Sequence, residues 1–378
     1  MPAARTRTLV VAALVLALAG LAGCSTGEDD APTPPGAEPA PQPSSGPRPS
    51  PSAAASELWP AESPPAPEAS IARPEPTTPQ VRFAATLPAL MQQRFRPSRV
   101  ERVRVEGENA AYVRYQITYG VDDLRISGVL LVPRGEGPFP GIVLAHGYRD
   151  PATYVTGRAL LRDQDALARA GYVVLHTDYR FHPAPDPPLP EVRDQVDSDI
   201  EIETLIGYTV DVIHAVLALQ REPIVDPDRI ALVGRSMGGG VVLNTLVAQP
   251  GLVRAAVVYA PVSSRFADVL ETFSIPNRPE IAAELVGSRG TPQESPEFFA
   301  SVSPRTYFDR ITEPVLIHHG TADATCPIAW SRETQAALRR AGVDSELLEY
   351  DGEHHVFGPQ WPLATRRTLA FLEDNLAS

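Results

Sequence analysis

The chain has 378 residues, 46 acidic against 33 basic, and a formal charge of −13. That balance disfavours nucleic acid and anionic lipid surfaces as partners, and no internal period of roughly 20 to 50 residues marks a solenoid or a propeller. The 41 prolines are spread so unevenly that the whole chain does not read as one globule.

At the N-terminus, Arg5 and Arg7 precede the apolar run Leu9 to Leu18, a layout that predicts an export signal over residues 1–23. This run is short for a bilayer span, and no later run is long and apolar enough for one. The stretch Leu21-Ala22-Gly23-Cys24 resembles the bacterial lipobox. The resemblance implies cleavage before Cys24, a diacylglycerol on its thiol and a tether to the outer face of a bacterial cell membrane. With Cys24 lipidated only Cys326 remains, so no intrachain disulfide is expected. Residues 24–80 follow, with 16 of the prolines between Ala31 and Gln80. Proline bars helices and sheet ladders, and the segment has too little apolar surface to offset its ordering entropy. It reads as an extended, semi-rigid spacer.

Residues 81–378 are enough for one large α/β domain. Tyr112 to Tyr119 and Leu124 to Val132, joined by Gly120-Val121-Asp122-Asp123, predict an antiparallel hairpin at a sheet edge. Further strands are expected at Pro140 to Ala145, Tyr172 to Asp178, Arg229 to Gly234, Arg254 to Tyr259, Pro314 to His318 and Ser345 to Tyr350. Helices are expected at Thr156 to Ala170, Ile200 to Leu219, Met237 to Ala248, Ile328 to Ala341 and Pro362 to Asn375. Strands apolar on both faces and alternating with helices predict a mostly parallel sheet covered on two sides. Two segments break the alternation: the proline- and acid-rich loop Phe181 to Glu203, and residues 261–304, read as a small cap over the sheet's C-terminal edge.

Gly234-Arg235-Ser236-Met237-Gly238 fits G-x-S-x-G between a strand and a helix. A turn that sharp strains the serine backbone and crowds the residues two before and two after it, so Gly234 and Gly238 must be small. The Ser236 hydroxyl then projects from the tip, above a helix N-terminus that favours negative charge. A hydroxyl needs a base, and the base needs an orienting acid. "PVLIHHGTADATCP" places Asp323 just after one strand, and "LLEYDGEHHVFG" places His354 and His355 after the next. These stretches resemble the H-G-x-x-D-x-x-V-P and G-x-x-H-x-F signatures of prolyl-oligopeptidase and dienelactone-hydrolase catalytic domains. "SPRTYFDRITEPVLIHHG" adds to the prolyl-oligopeptidase likeness. The resemblance implies the α/β-hydrolase fold, Asp323 as the acid and His355 as the base. His354 stands where the pattern has a small residue, so it stays a second candidate base. Asp344 and Asp351 are alternative acids outside the expected loop, Cys326 reads as core, and His318 and His319 read as structural.

One oxyanion donor is expected from the Met237 amide. "AHGYRD" resembles the corresponding turn of acetyl esterases and deacetylases, which implies the Tyr148 amide as the second. No metal or organic cofactor is required. The expected activity is serine hydrolysis of a small ester or short peptide, and a catalytically inactive binding or scaffold lipoprotein is the alternative. Asp194, Asp197, Asp199, Glu201 and Glu203 suit either a substrate's amino terminus or a solvated helix start. Phe273, Phe298 and Phe299 suit an acyl pocket or the cap's own core. Arg149 and Arg235, beside the catalytic turns, suit a carboxylate or plain exposure.

Overall fold

The computed structural model describes residues 78–151, 153–180, 182 and 203–377. The export signal, Cys24, nearly all of the spacer, and Asp194, Asp197, Asp199 and Glu201 lie outside the described residues.

Nine strands form one sheet in the order β1-β2-β3-β5-β4-β6-β7-β8-β9. They are β1 (Glu101–Glu108), β2 (Tyr112–Val121), β3 (Leu124–Pro133), β4 (Phe139–Ala145), β5 (Val173–Thr177), β6 (Val225–Arg235), β7 (Ala255–Tyr259), β8 (Val315–Gly320) and β9 (Ser345–Tyr350). The first three pair antiparallel, β3 meets β5 antiparallel, and every pairing from β5 through β9 is parallel. Strands β5, β7 and β8 are buried along their whole length, as strands covered on both faces must be. Each fully buried Val or Leu in them contributes roughly 1.5–3 kcal/mol.

Two apolar layers close the sheet. On one face lie α1 (Leu87–Gln92), α3 (Ile206–Leu219) and α4 (Met237–Ala248), with the Leu and Val side chains of α3 and α4 buried almost throughout. On the other, α2 (Leu161–Arg169) and α10 (Trp361–Asn375) pack through Leu167, Ala364 and Leu372. Residues 261–304 fold into α5 (Phe266–Val269), a π-helical turn (Leu270–Ser274), α6 (Ile275–Asn277), α7 (Pro279–Arg289) and α8 (Pro296–Ser301), and α9 (Ile328–Arg340) follows β8.

Two expectations need correction. The hairpin at Tyr112 to Val132 is not the sheet edge, because β1 pairs outside it. Strand β1 is exposed along its whole length and carries two register shifts, so its sequence ERVRVEGE offers no apolar run to detect. Helix α2 starts at Leu161, not Thr156, because Gly157 and Leu160 take positive φ (69° and 57°) and break the first turn. The short α1 has only six residues and no strong period.

Candidate active site

The elbow is built by backbone on three sides. Ser236 stands between β6 and α4 at φ 57°, ψ −123°, a left-handed conformation that costs a non-glycine residue about 1–3 kcal/mol unless its surroundings hold it. They do. The Ser236 N–H donates to the Tyr259 carbonyl (2.9 Å), and the Ser236 carbonyl accepts from Gly239 (2.9 Å), Gly240 (3.3 Å) and Val262 (3.1 Å). A Cβ on Gly234 would lie 2.4 Å from the Gly238 carbonyl oxygen, which accounts for the first glycine. The second answers to a different neighbour than expected: a Cβ on Gly238 would lie 2.0 Å from the Ala145 carbonyl oxygen at the end of β4.

Strand register brings the catalytic candidates to one edge. Arg235 pairs with Tyr259, Tyr259 with His318, and His318 with Leu348, so the turns after β6, β8 and β9 leave the sheet side by side. After β8, Asp323 is buried and fully bonded. Its Oδ1 accepts from the Thr325 (2.8 Å) and Cys326 (2.9 Å) amides, and its Oδ2 accepts from His355 Nδ1 at 2.8 Å. Burial raises the Asp323 pKa, but hydrogen bonds from His319 and His355, the charge of His355 and the Cys326 amide outweigh it and hold the carboxyl well below its usual range. An ionised carboxylate only accepts, so His355 carries a proton on Nδ1 and Nε2 is the ring nitrogen left to exchange one with a hydroxyl. His355 keeps a partly exposed side chain, as a group that meets substrate must.

The competing assignments separate on geometry. His354 is exposed, and its Nδ1 donates to the Ala322 carbonyl (3.0 Å), not to Asp323. Asp344 and Asp351 are exposed. His318 and His319 diverge: His318 bonds Tyr350 Oη (2.7 Å) and Thr368 Oγ1 (2.9 Å), while His319 bonds Ser331 Oγ (2.6 Å) and the Cys326 carbonyl (2.8 Å). His319, expected to be structural, also places its Nε2 3.2 Å from Asp323 Oδ2, so its structural role includes support of the acid. Only the fold could reveal this, because the signal in sequence was one histidine beside a loop glycine. Cys326 is fully buried, and burial and nearby Asp323 push its thiol up, so it is no thiolate nucleophile. No hydrogen bond joins Ser236 to His355 here. They leave strand ends along the same sheet edge, Ser236 after β6 and His355 after β9, with His355 held by the Asp323 carboxylate.

The fourth wall is the turn after β4. A Cβ on Gly147 would lie 3.1 Å from Ser236 Cβ and 3.6 Å from its Oγ, so the His146-Gly147-Tyr148 backbone runs directly against the hydroxyl. The amide of Met237, first residue of α4, has no intrahelical acceptor. The Tyr148 ring is exposed, with the Arg278 guanidinium over it at 5.1 Å.

Several expected specificity residues are already engaged. Arg278 grips Glu203 through two hydrogen bonds of 2.9 Å, Ser274 Oγ donates to the same carboxylate, and the Glu203 side chain is 2 % exposed. Phe298 and Phe299 are buried among Phe83 and Phe266, which makes them cap core. Phe273 packs edge-on against Trp330. Arg235 is paired with Asp163 at 3.2 Å, whereas Arg149 is exposed.

Comparison with known proteins agrees with this architecture. Residues 207–378 match the prolyl oligopeptidase family. The uncharacterized peptidase YuxL of Bacillus subtilis is 26% identical over 271 residues, covering 68% of this chain but 38% of that protein. The uncharacterized peptidase YtmA of the same organism is 26% identical over 265 residues, covering 69% of this chain and 93% of that protein. Among solved structures, acetyl xylan esterase 1 from Thermoanaerobacterium superimposes with a TM-score of 0.57 at 19% identity, covering 80% of this chain and 96% of the esterase. Strand order, elbow and sequence match agree: residues 207–378 resemble the prolyl oligopeptidase family, and the chain has the α/β-hydrolase fold while spanning about two fifths of the length of YuxL.

Proposed function

We propose that the chain hydrolyses small carboxylic esters or short peptides through an acyl-enzyme on Ser236, with His355 as base and Asp323 as its orienting acid. The observation that carries this reading is the 2.8 Å Asp323–His355 bond at the same sheet edge as the strained Ser236 elbow. Catalytic hydrogen bonds are often long in a free enzyme and tighten with substrate, so the Ser236–His355 contact is expected to form on binding. In acylation Ser236 Oγ bonds the substrate carbonyl carbon, the carbonyl π pair moves onto oxygen, and the hydroxyl proton passes to His355 Nε2. The Met237 and Tyr148 amides receive the oxyanion. The intermediate collapses by breaking the carbon–nitrogen or carbon–oxygen bond, and the leaving group takes the proton from His355. Water then attacks the acyl-enzyme with the same proton relay and restores Ser236.

The peptidase YtmA, similar along nearly its full length, supports a peptide substrate. The esterase likeness supports the fold alone. A fluorophosphonate probe is expected to label the protein and to fail on Ser236→Ala. Relative turnover of p-nitrophenyl acetate and aminoacyl-p-nitroanilides then separates ester from peptide. A silent probe with no turnover of either would overturn the reading. We also read the chain as exported and lipid-anchored at Cys24. Cys24→Ser is expected to move the protein from the membrane to the soluble fraction.

A further inference from the structure

The buried side of the β4 turn holds a histidine that the mechanism above does not use. His146 is completely buried, and its Nδ1 lies 2.6 Å from the Gly147 carbonyl oxygen. Its Nε2 lies 3.4 Å from the Asp178 carbonyl oxygen; a neutral ring has one N–H and a carbonyl only accepts, so the much shorter Nδ1 contact takes the proton and donates. The Gly147 carbonyl and the Tyr148 N–H belong to one planar trans peptide and point in opposite directions. Pinning the oxygen on the protein side therefore aims the N–H away from the interior, where Gly147 stands against Ser236. Glycine at 147 offers no Cβ to resist rotation of this peptide, so something else must fix it.

We infer that His146 is a positioning residue that orients the Gly147–Tyr148 peptide, and with it the Tyr148 oxyanion donor, toward Ser236. The inference rests on the proposed role of the Tyr148 amide. The ring is held on every side. Tyr179 lies 4.5 Å from it, Tyr154 stacks at 5.1 Å and 19°, His176 at 5.3 Å and 12°, and His182 meets it edge-on at 5.1 Å. Tyr179 Oη also donates to the His146 carbonyl (3.1 Å), fixing the residue's own backbone. Beneath the stack, Asp178 accepts from Tyr154 Oη (2.5 Å), Ser127 Oγ (2.7 Å) and the Gly157 amide (3.1 Å). Burial lowers the His146 pKa to about 4, which keeps the imidazole neutral near pH 7. A pillar packed this closely has one rotamer, and the Nδ1–H bond transmits that rigidity to the peptide.

The test compares His146→Phe and His146→Leu, which lack the donor, with His146→Asn, whose side-chain N–H can replace it. Readouts are thermal unfolding, kcat and KM for p-nitrophenyl acetate, and the rate of phosphonylation by the fluorophosphonate probe, which also develops an oxyanion. A folded donor-less variant is expected to lose about 10- to 100-fold in kcat and in labelling rate with KM within about 2-fold, and Asn is expected to recover most of that loss. A folded Phe or Leu variant within about 2-fold of wild-type kcat, or an Asn variant as slow as both, would overturn the inference. Ser236→Ala is run alongside. Retained turnover there would overturn the nucleophile assignment itself, an outcome distinct from failure of the His146 proposal.

Discussion

His319 and His355 reach the same oxygen of Asp323, at 3.2 and 2.8 Å, but only His355 keeps an exposed side chain. One carboxylate thus serves an inward histidine that anchors it and an outward one that it orients. The two contacts predict different losses. His355→Ala is expected to lower kcat by about 10⁴-fold or more, His319→Gln by about tenfold through loosening of the acid, and His354→Ala by less than about 3-fold. Steady-state turnover of an activated ester checks all three.

Asp323→Asn tests the tautomer argument. An amide accepts through only one atom, so His355 is no longer held with its proton on Nδ1, and kcat is expected to fall by about 10⁴-fold. Two backbone amides and His319 also bond this side chain, so the melting temperature is expected to drop as well.

The elbow glycines should be intolerant for steric reasons alone. A methyl at Gly234 or Gly238 would press to 2.4 or 2.0 Å against backbone oxygen, so both alanine variants are expected to be unfolded or inactive. Gly287, exposed on α7 with no atom within 4 Å of its added Cβ, is the control. Gly287→Ala should match or exceed wild-type stability, by up to about 1 kcal/mol. Denaturant titration distinguishes the outcomes.

Acid should destabilise the protein through its buried histidines. Burial lowers His146 to about 4 and His182 and His318 to about 3, and it drives His176 well below its ordinary value of 6.5. These groups stay neutral in the folded state while the unfolded chain takes up protons below about pH 6.5. Stability is therefore fully present above that pH and is lost as pH falls toward 4, by up to about 1.4 kcal/mol per pH unit for each histidine. Denaturant midpoints measured from pH 8 to 4 should be flat at first and then fall. A midpoint unchanged at pH 5 would contradict the burial of these rings.

Glu203 was one of the acids able to hold a substrate's amino terminus, but the structure commits it to Arg278. Glu203→Gln should therefore act on stability before specificity. It leaves the Arg278 guanidinium without its counter-charge and is expected to cost about 2 kcal/mol. The ratio of free-amino to amino-blocked substrate turnover should not move.

Local pattern carried most of the fold. Most strands from β2 to β8 announced themselves as Val- and Ile-rich runs, and the elbow as glycines around Ser236, because period and turn chemistry are properties of neighbouring residues. Strand β1 escaped because both its faces are wet and a charge-rich exposed strand leaves no apolar trace. The acid and base were legible as loop residues after consecutive strands. The resemblance pointed to His355 over its neighbour His354, but the contact behind that choice depends on which ring the β9 turn swings onto Asp323, which only the fold shows.

By itself, then, the sequence determined the alternation of elements, the place of the serine elbow and the order of the proposed triad, Ser236, Asp323, His355, along the chain. Tertiary structure decided the pairings: His319 beneath Asp323, Arg278 on Glu203, and His146 on the peptide beside Ser236. The physical reason is distance along the chain. Secondary structure follows from contacts among near neighbours, whereas partners such as Glu203 and Arg278, 75 residues apart, meet only after the sheet has set its strand order and register.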